Sequence, residues 1–235
     1  MTATDTPAIV VIPAAGVGQR MGTDIPKQYL NCHGRPLITY SLGLFQACEW
    51  IDAIYVAISD EDDYWLECVG DTYSKVRTVT GGDSRAQSVT NGLSAALEEH
   101  EDSTWVLVHD AARPCLFEQD MAMIYNEICR PGCQGFIVAE KVNDTVKQVD
   151  ADNFIAKTVD RSQLWRAQTP QVFKLGELAN ALATTDLAGI TDEASAMERT
   201  GAKIRVVQGN PKNIKVTQPG DLALAELYLS DRLTD

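Results

Sequence analysis

A glycine-rich segment with two basic residues lies near the amino terminus of the chain. Residues 13–22 read PAAGVGQRMG, with Arg20 inside the segment and Lys27 five positions beyond its end. Glycines allow a backbone to wrap closely around an oxyanion, so that successive N–H groups point at its oxygens. Taken alone, the segment is equally typical of a tight turn between a strand and a helix. The two cations favour a polyphosphate ligand, because such a ligand requires fixed positive charge.

Two well-known phosphate-binding loops do not fit this segment. The pattern GxxxxGK[ST] is absent from the chain, which excludes a P-loop nucleotide hydrolase. The pattern GxGxxG also fails, because Gly16 and Gly18 are followed by Gly22, one position too late. A dinucleotide-dependent oxidoreductase is therefore a poor fit, and an absence of NAD(P)H binding would exclude it.

A second glycine pair follows a short β-prone stretch. Residues 81–88 read GGDSRAQS and open a predicted helix. The backbone at Gly81 and Gly82 could contact a base edge, since small residues leave room for a ring. Ser84 or Asp83 could equally cap the helix. The two interpretations are compatible with each other.

A third motif, HDAARP, follows an apolar strand. Asp110 would end this strand, where a buried carboxylate is costly unless it meets a cation. A Mg²⁺ ion held by one carboxylate and by substrate phosphates suits it. A salt bridge between Asp110 and Arg113 without any ligand is the structural alternative. His109 is predicted to be a packed histidine rather than a catalytic base.

Five short polar segments follow, and each has a plain structural interpretation. Residues 143–145 (NDT) would be polar hairpin residues, 160–161 (DR) a charge at a strand end, 168–171 (QTPQ) a turn, 191–195 (TDEAS) a helix start at Thr191, and 213–217 (NIKVT) a solvated strand. These segments indicate a function only when all of them are considered together and in this order.

Strand and helix patterns alternate along the chain. Strands are predicted over 8–13, 53–58, 76–80, 105–109 and 135–140, and helices over 36–48, 85–97 and 219–229, with further helices from 60 and from 175. This order predicts a three-layer α/β fold with a mostly parallel sheet between helices. Residues 142–160 depart from the alternation of strands and helices, because two β-prone stretches flank the turn-forming sequence DADN at 150–153. A projecting hairpin that packs against a second subunit is expected there.

Composition limits the functional classes. The length of 235 residues favours one large globular domain over 1–235, with two small domains as the alternative, and 45% of the residues are hydrophobic. The formal charge of −13 argues against general nucleic-acid binding. No apolar run approaches the roughly 20 residues of a membrane span, and no secretory signal is apparent, so we expect no membrane association and a cytoplasmic location. The six cysteines lack zinc-ligand spacing and are expected to be reduced, mostly buried thiols.

The ordered set of nine motifs closely resembles the 2-C-methyl-D-erythritol 4-phosphate cytidylyltransferase family. The motifs are PAAGxGxRMG, PKQ, GGxxRxxSV, HDAARP, DT, DR, QTPQ, TDEAS and NIKVT, and the resemblance spans about 8–229. It implies a Rossmann-like nucleotidyltransferase fold, a homodimer built with the 142–160 arm, and dependence on Mg²⁺ or another hard divalent ion such as Mn²⁺. The implied reaction joins CMP from CTP to 2-C-methyl-D-erythritol 4-phosphate and belongs to non-mevalonate isoprenoid precursor synthesis.

The resemblance also assigns roles to residues. Catalytic cations would be Arg20, Lys27 and Lys215; nucleotide contacts Pro13, Ala14, Ala15, Gly16, Gly81, Gly82, Asp83 and Ser88; acceptor contacts Arg113, Thr145, Arg161, Thr169 and Thr191; and the metal ligand Asp110. Because Thr145 and Arg161 belong to the arm, they could serve the partner subunit's site. Lys27 and Lys215 would face the α-phosphoryl group, and Arg20 the departing pyrophosphate.

The implied reaction needs no general base. A phosphate monoester has its second pKa near about 6, so it is already largely a nucleophilic dianion at neutral pH. Positioning and charge neutralisation are then the main tasks of the protein. Two rivals remain: a ribitol 5-phosphate cytidylyltransferase, and a non-catalytic nucleotide-binding regulator of the same fold. A comparison of turnover with the two polyol phosphates would distinguish the ribitol 5-phosphate enzyme from the methylerythritol enzyme. Pyrophosphate release from CTP would exclude the regulator.

Overall fold

The computed structural model describes residues 6–16 and 25–230 of the chain. Its strands, in chain order, are β1 (Ala8–Pro13), β2 (Asn31–Cys32), β3 (Arg35–Pro36), β4 (Ile51–Ile58), β5 (Val76–Thr80), β6 (Trp105–Val108), β7 (Phe136–Lys141), β8 (Val146–Val149), β9 (Ile155–Val159), β10 (Trp165–Lys174) and β11 (Arg205–Gln208). Its helices are α1 (Leu37–Ala47), α2 (Trp65–Cys68), α3 (Arg85–Leu97), α4 (Glu118–Ile128), α5 (Leu175–Ala183), α6 (Glu193–Arg199) and α7 (Pro219–Leu229), with 3₁₀ turns at Lys27–Tyr29 and Leu187–Gly189.

Seven strands form the central sheet in the order β11-β7-β10-β6-β1-β4-β5. The pairs β1–β4, β1–β6, β4–β5 and β7–β11 are parallel, whereas β10 is antiparallel to both β6 and β7. The prediction of a mostly parallel sheet is confirmed. The six parallel strands therefore end at one edge of the sheet, which is the edge at which β10 begins. Ligands of open α/β sheets bind at this kind of edge.

Strand β1 shows why helices cover both faces of the sheet. It is an uninterrupted apolar run, so alternate side chains must be buried on opposite faces. Val10 and Ile12 belong to one core cluster, which helices α1 and α4 help to form. Ile9 and Val11 belong to the other, which α3, α5 and α6 help to form. The predicted three-layer arrangement is confirmed.

The structure departs from the predicted elements at several places. The helix expected from residue 60 is only the four-residue α2, because the Asp62 carboxylate accepts the N–H groups of Tyr64 and Trp65 and holds a turn there. Residues 168–171 lie inside β10, where the pairing with β7 shifts register between Ala167 and Gln171, so the turn interpretation is wrong. Helix α4 and strand β11 were not predicted.

The predicted hairpin is present as strands β8 and β9, which pair with each other in a separate two-stranded sheet. Its turn forms because Asp150 Oδ1 accepts the N–H groups of Asp152 and Phe154, and because Asn153 adopts a positive φ of 65°. Phe154 and Ile155 are 71% and 65% exposed at this end of the hairpin. Its role as a dimerisation arm stays a prediction.

The cysteines are all free thiols, as predicted, although fewer are buried than expected. Cys32 and Cys115 are buried, Cys129 is exposed, and the others are partly buried. Within residues 6–16 and 25–230, no helix combines the length and apolar character needed to span a membrane.

Candidate active site

The first glycine-rich loop leaves the carboxyl end of β1 and borders a cavity of about 680 Å³. The Ala14 N–H donates to the Ala57 carbonyl at 2.7 Å, and Gln28 Nε2 donates to the Ala14 carbonyl at 2.6 Å. These two bonds fix the backbone where it turns away from the sheet. Volumes of this size are typical of sites for small molecules and cofactors.

Eleven residues that the sequence assigned to the site line this cavity. They are Pro13, Ala14, Ala15, Gly16, Lys27, Gly81, Gly82, Asp83, Ser88, Asp110 and Lys215. Arg20 lies outside the described residues.

The second glycine pair must approach the first loop closely. A Cβ atom at Gly81 would lie 2.3 Å from the Cβ of Ala15, so no larger residue fits without moving the loops. The Gly82 N–H donates to Ser88 Oγ at 3.0 Å, which ties the loop to α3. Ser84 accepts the Gln87 N–H and caps the helix, so the capping interpretation is confirmed. Contact of this loop with a base stays a prediction.

Asp110 lies directly after β6 and contacts three cations. Its carboxylate is 2.9 Å from Arg85 Nε, 2.8 Å from Lys215 Nζ and 3.6 Å from Arg113 Nε. Burial alone would raise the pKa of Asp110, but the positive charges of Arg85, Lys215 and Arg113 hold it well below its usual range. The salt bridge to Arg113 exists, yet it is the longest of the three contacts and does not account for the cluster.

The segment that carries Lys215 is held against the loop after β6. The Val216 N–H donates to the Ala112 carbonyl at 2.8 Å, and Arg113 Nη1 donates to the Asn213 carbonyl at 2.7 Å. Lys215 is thereby placed beside Asp110, about a hundred residues away in the chain. Lys27, Asp110 and Lys215 therefore share one cavity, as the motif set predicted.

A second pocket of about 180 Å³ adjoins the first. Arg85, Asp110 and Lys215 line both pockets and so form their shared wall. Of the residues expected to contact the acceptor, Arg113, Thr169 and Thr191 line the second pocket. Thr145 and Arg161 line neither pocket of this chain; both belong to the arm region and are exposed.

The Thr169 hydroxyl is bound to the protein interior. Its oxygen accepts the Asp110 N–H at 3.0 Å and lies 3.1 Å from His109 Nδ1. His109 Nε2 is 3.0 Å from the Arg113 carbonyl, which requires a proton on Nε2 and leaves Nδ1 to accept from Thr169. Thr169 therefore fixes the backbone at Asp110. The packed-histidine prediction for His109 is confirmed, because the ring is fully buried.

We expect His109 to make the free energy of unfolding depend on pH. Burial lowers the pKa of His109 to about 4, whereas an unfolded histidine titrates near about 6.5. Between these values the unfolded chain binds more protons, so stability should decrease as the pH falls from about 6.5 to about 4, by about 3 kcal/mol in total. Denaturant unfolding in EDTA, compared between wild type and His109→Gln, measures this contribution.

The matched control is His33→Gln, at an exposed histidine that also bonds to a backbone carbonyl. An unchanged pH slope in His109→Gln would show that His109 does not contribute.

Two charged residues were given no role from the sequence. Arg85 lies within the GGDSR motif, and its Nη1 and Nη2 donate to Glu193 Oε1 and Oε2 at 2.7 and 3.0 Å. Burial would lower the pKa of Arg85, but Glu193 and Asp110 raise it above its usual value. Arg85 lies within the motif GGxxR and Glu193 within the motif TDEAS, so their membership of these motifs was the sequence signal for a role in the site.

The helix α6 is capped by Asp192 and not by Thr191, since Asp192 accepts the Ser195 N–H.

The residues at the shared wall fit a hard divalent cation. Within the described part of the chain, no three His, Cys, Asp or Glu side chains cluster as a complete metal cage. A Mg²⁺ ion that is also held by substrate phosphates needs only one or two carboxylates. Asp110 meets this requirement, because it borders both pockets and its low pKa keeps it ionised.

Comparison with known proteins agrees with this geometry. The profile of the 2-C-methyl-D-erythritol 4-phosphate cytidylyltransferase family (IspD) matches residues 8–231. Enzymes of that name from Vibrio vulnificus (strain YJ016) and Haemophilus influenzae (strain PittGG) are 44% and 46% identical to the chain, over 96% and 94% of it and 95% and 96% of their own lengths.

Solved structures agree as well. A crystal structure of 4-diphosphocytidyl-2C-methyl-D-erythritol synthase is similar with a TM-score of 0.83 at 37% identity, covering 96% of this chain and 99% of its own. The 2-C-methyl-D-erythritol 4-phosphate cytidylyltransferase of Francisella tularensis is similar with a TM-score of 0.82 at 37% identity, covering 95% and 100%. With its α/β sheet, its paired pockets and these relatives, the chain belongs to the 2-C-methyl-D-erythritol 4-phosphate cytidylyltransferase family of nucleotidyltransferases.

Proposed function

We propose that this protein transfers CMP from CTP to 2-C-methyl-D-erythritol 4-phosphate and releases pyrophosphate. The product is 4-diphosphocytidyl-2-C-methyl-D-erythritol, a precursor in non-mevalonate isoprenoid synthesis. The observation that carries the proposal is the convergence of Lys27, Asp110 and Lys215 on one cavity that adjoins a smaller pocket. An anionic substrate in each pocket would then lie beside the shared wall, which contains the cations Arg85 and Lys215 and the carboxylate of Asp110.

The larger cavity suits the nucleotide. The loop 13–16 would follow the triphosphate, with Arg20 and Lys27 as fixed cations, and residues 81–83 with Ser88 would surround cytosine and ribose. The close approach of Gly81 to Ala15 supports this assignment, because it brings both loops to the same ligand. The smaller pocket, with Arg113, Thr169 and Thr191, suits the phosphate of the acceptor.

In the proposed reaction, an oxygen of the acceptor phosphate attacks the α-phosphorus of CTP. A new P–O bond forms, the bond between the α-phosphorus and the bridging oxygen breaks, and pyrophosphate leaves with the electron pair. No proton needs to be removed from a dianionic phosphate near neutral pH. The His109 ring is fully buried and both of its nitrogens have partners inside the protein, which agrees with a mechanism that lacks a side-chain base.

Charge neutralisation is the main contribution of the protein. Lys215 lines both pockets, so its ammonium group can face the α-phosphoryl group as negative charge develops there. Asp110 would hold Mg²⁺, or Mn²⁺ in its place. The bound ion would screen the repulsion between the two phosphates.

The test is pyrophosphate release from CTP and Mg²⁺ with each of two acceptors, 2-C-methyl-D-erythritol 4-phosphate and D-ribitol 5-phosphate. We expect turnover with the first that exceeds turnover with the second at least roughly 100-fold, the scale on which a pocket discriminates substrates that differ by a methylene or a hydroxyl group. A preference for ribitol 5-phosphate would favour the rival enzyme. CTP binding without any pyrophosphate release would favour a nucleotide-binding regulator.

We also propose that the whole chain forms one cytoplasmic nucleotidyltransferase domain and that the hairpin at 142–160 is a homodimerisation arm. Isolated two-stranded hairpins are marginally stable in water, and this one exposes Phe154 and Ile155. Burial of these apolar side chains against a second copy would stabilise the arm. Thr145 and Arg161, which line neither of the two pockets described above, could then reach the partner subunit's acceptor pocket.

Replacing both Phe154 and Ile155 with Asp should convert a dimer into a monomer in sedimentation velocity, since it places two charges in the proposed interface. The matched control is Leu66→Asp, at an apolar side chain that is 80% exposed on α2. A doubly substituted protein that stays dimeric, or a wild type that is monomeric, would contradict the arm assignment.

A further inference from the structure

Glu193 is a buried carboxylate that the reaction described above does not use. Only 1% of its side chain is exposed, and both of its oxygens accept hydrogen bonds from Arg85, at 2.7 and 3.0 Å. Bidentate pairs between arginine and a carboxylate are strong and directional. The third guanidinium nitrogen, Nε, donates to Asp110 Oδ1 at 2.9 Å. Glu193 is thus linked to Asp110 through one intervening side chain, that of Arg85.

The charges around Asp110 would oppose the binding of a divalent cation more strongly if Glu193 were neutral. Arg85, Arg113 and Lys215 contribute three positive charges, and Asp110 and Glu193 contribute two negative charges, so the cluster carries +1. Without the negative charge of Glu193 the same cluster would carry +2. The cluster is mostly buried, so water screens these interactions weakly.

We propose that Glu193 is a positioning residue that acts through Arg85 and allows Asp110 to hold the divalent ion that accompanies CTP. By taking up the charge of Arg85 and fixing its guanidinium plane, Glu193 leaves the Asp110 carboxylate able to accept a further cation. This inference rests on the proposed function, in which Asp110 is the metal ligand.

A purely structural role for the pair makes the opposite prediction about substitutions. If the pair only ties α6 to α3, shape matters most, and glutamine, which has the shape of glutamate, should be the milder replacement. If the charge matters, aspartate should be the milder replacement, because it keeps the negative charge although its side chain is shorter. Glu193→Gln and Glu193→Asp therefore separate the two roles.

The experiment measures CTP affinity by calorimetry, without any acceptor, once in saturating Mg²⁺ and once in EDTA. In wild type, Mg²⁺ should strengthen CTP binding. In Glu193→Gln this strengthening should fall roughly 10–100-fold, the usual effect of removing an outer partner of a metal ligand. CTP affinity in EDTA should stay the same or increase, because the site becomes more positive. Glu193→Asp should keep most of the Mg²⁺ effect.

Turnover provides a second readout. The Mg²⁺ concentration for half-maximal pyrophosphate release should rise at least roughly tenfold in Glu193→Gln. The matched control is Glu140→Gln, at a largely buried glutamate whose Oε2 accepts from Arg166 Nη2 at 2.6 Å and which lines neither pocket. It should leave the Mg²⁺ dependence unchanged.

Three results would overturn the inference: an undiminished Mg²⁺ effect in Glu193→Gln, a larger loss in Glu193→Asp than in Glu193→Gln, or a Glu193→Gln protein that binds no CTP in EDTA. The last result would show that Glu193 maintains the fold. The proposed function fails by a different result, namely no pyrophosphate release by wild type with 2-C-methyl-D-erythritol 4-phosphate.

Discussion

Replacing Lys215 with alanine is expected to lower kcat by roughly 10²–10³-fold, the usual effect of deleting one donor that stabilises the transition state. Lys215 lines both pockets, so its ammonium group can contact the phosphoryl group during transfer. Without Lys215, Asp110 would keep its contacts with Arg85 and Arg113, so the variant should still fold. Lys27→Ala is expected to have a similar effect, since Lys27 lines the nucleotide cavity beside the loop after β1.

Steady-state pyrophosphate release at saturating CTP, acceptor and Mg²⁺ measures both effects. Lys212→Ala is the matched control: Lys212 precedes Lys215 by three residues and lies over the rings of Phe117 and Tyr228, outside both pockets. It should keep nearly normal kcat. Near-normal turnover in both Lys27→Ala and Lys215→Ala would refute the catalytic role of these cations.

Asp110→Asn should impair both turnover and stability. It removes the proposed metal ligand, for which we expect a loss in kcat of roughly 10²–10³-fold. It also leaves Arg85, Lys215 and Arg113 without their shared counter-charge, and removing one partner of a buried ion pair lowers the free energy of unfolding by about 3 kcal/mol. Added Mg²⁺ should not restore the rate.

Asp120→Asn distinguishes the two effects of the Asp110 substitution. Asp120 is equally buried, but it accepts the Phe117 N–H at the start of α4, away from both pockets. Urea unfolding and pyrophosphate release should show lower stability with an unchanged kcat. An Asp110→Asn protein with normal turnover at saturating Mg²⁺ would show that Asp110 is not the metal ligand.

Local sequence patterns predicted the elements that depend on local forces. Helices α3 and α7 begin and end where their patterns predicted, because Ser84 caps the first and Pro219 starts the second. The apolar run of β1 predicted a strand that is buried on both faces. The order of the motifs predicted which loops meet at the cavity, since the ends of parallel strands share one edge of the sheet.

Features that depend on distant partners were not predictable in this way. Strand β10 contains Pro170, a residue that is typical of turns, and the strand is held in place by pairing with β6 and β7. The pair of Arg85 with Glu193 joins residues that are 108 positions apart, and no local pattern indicates such a contact. The inward direction of the Thr169 hydroxyl likewise depends on the position of the buried His109 ring.

Strand β10, which runs opposite to its neighbours, contributes to the proposed acceptor pocket and not to the proposed nucleotide cavity. The larger cavity is bordered by the segments that follow β1, β4, β5 and β6 and by Lys27, Gln28 and Lys215, whereas β10 supplies residues 167–169 and Gln171 to the smaller pocket. Substitutions in β10 other than at Thr169, which fixes the Asp110 backbone, could therefore change the shape of the smaller pocket without disturbing the loops of the larger cavity. An architecture of this kind could evolve towards new phosphorylated alcohols while it retains the same activated donor.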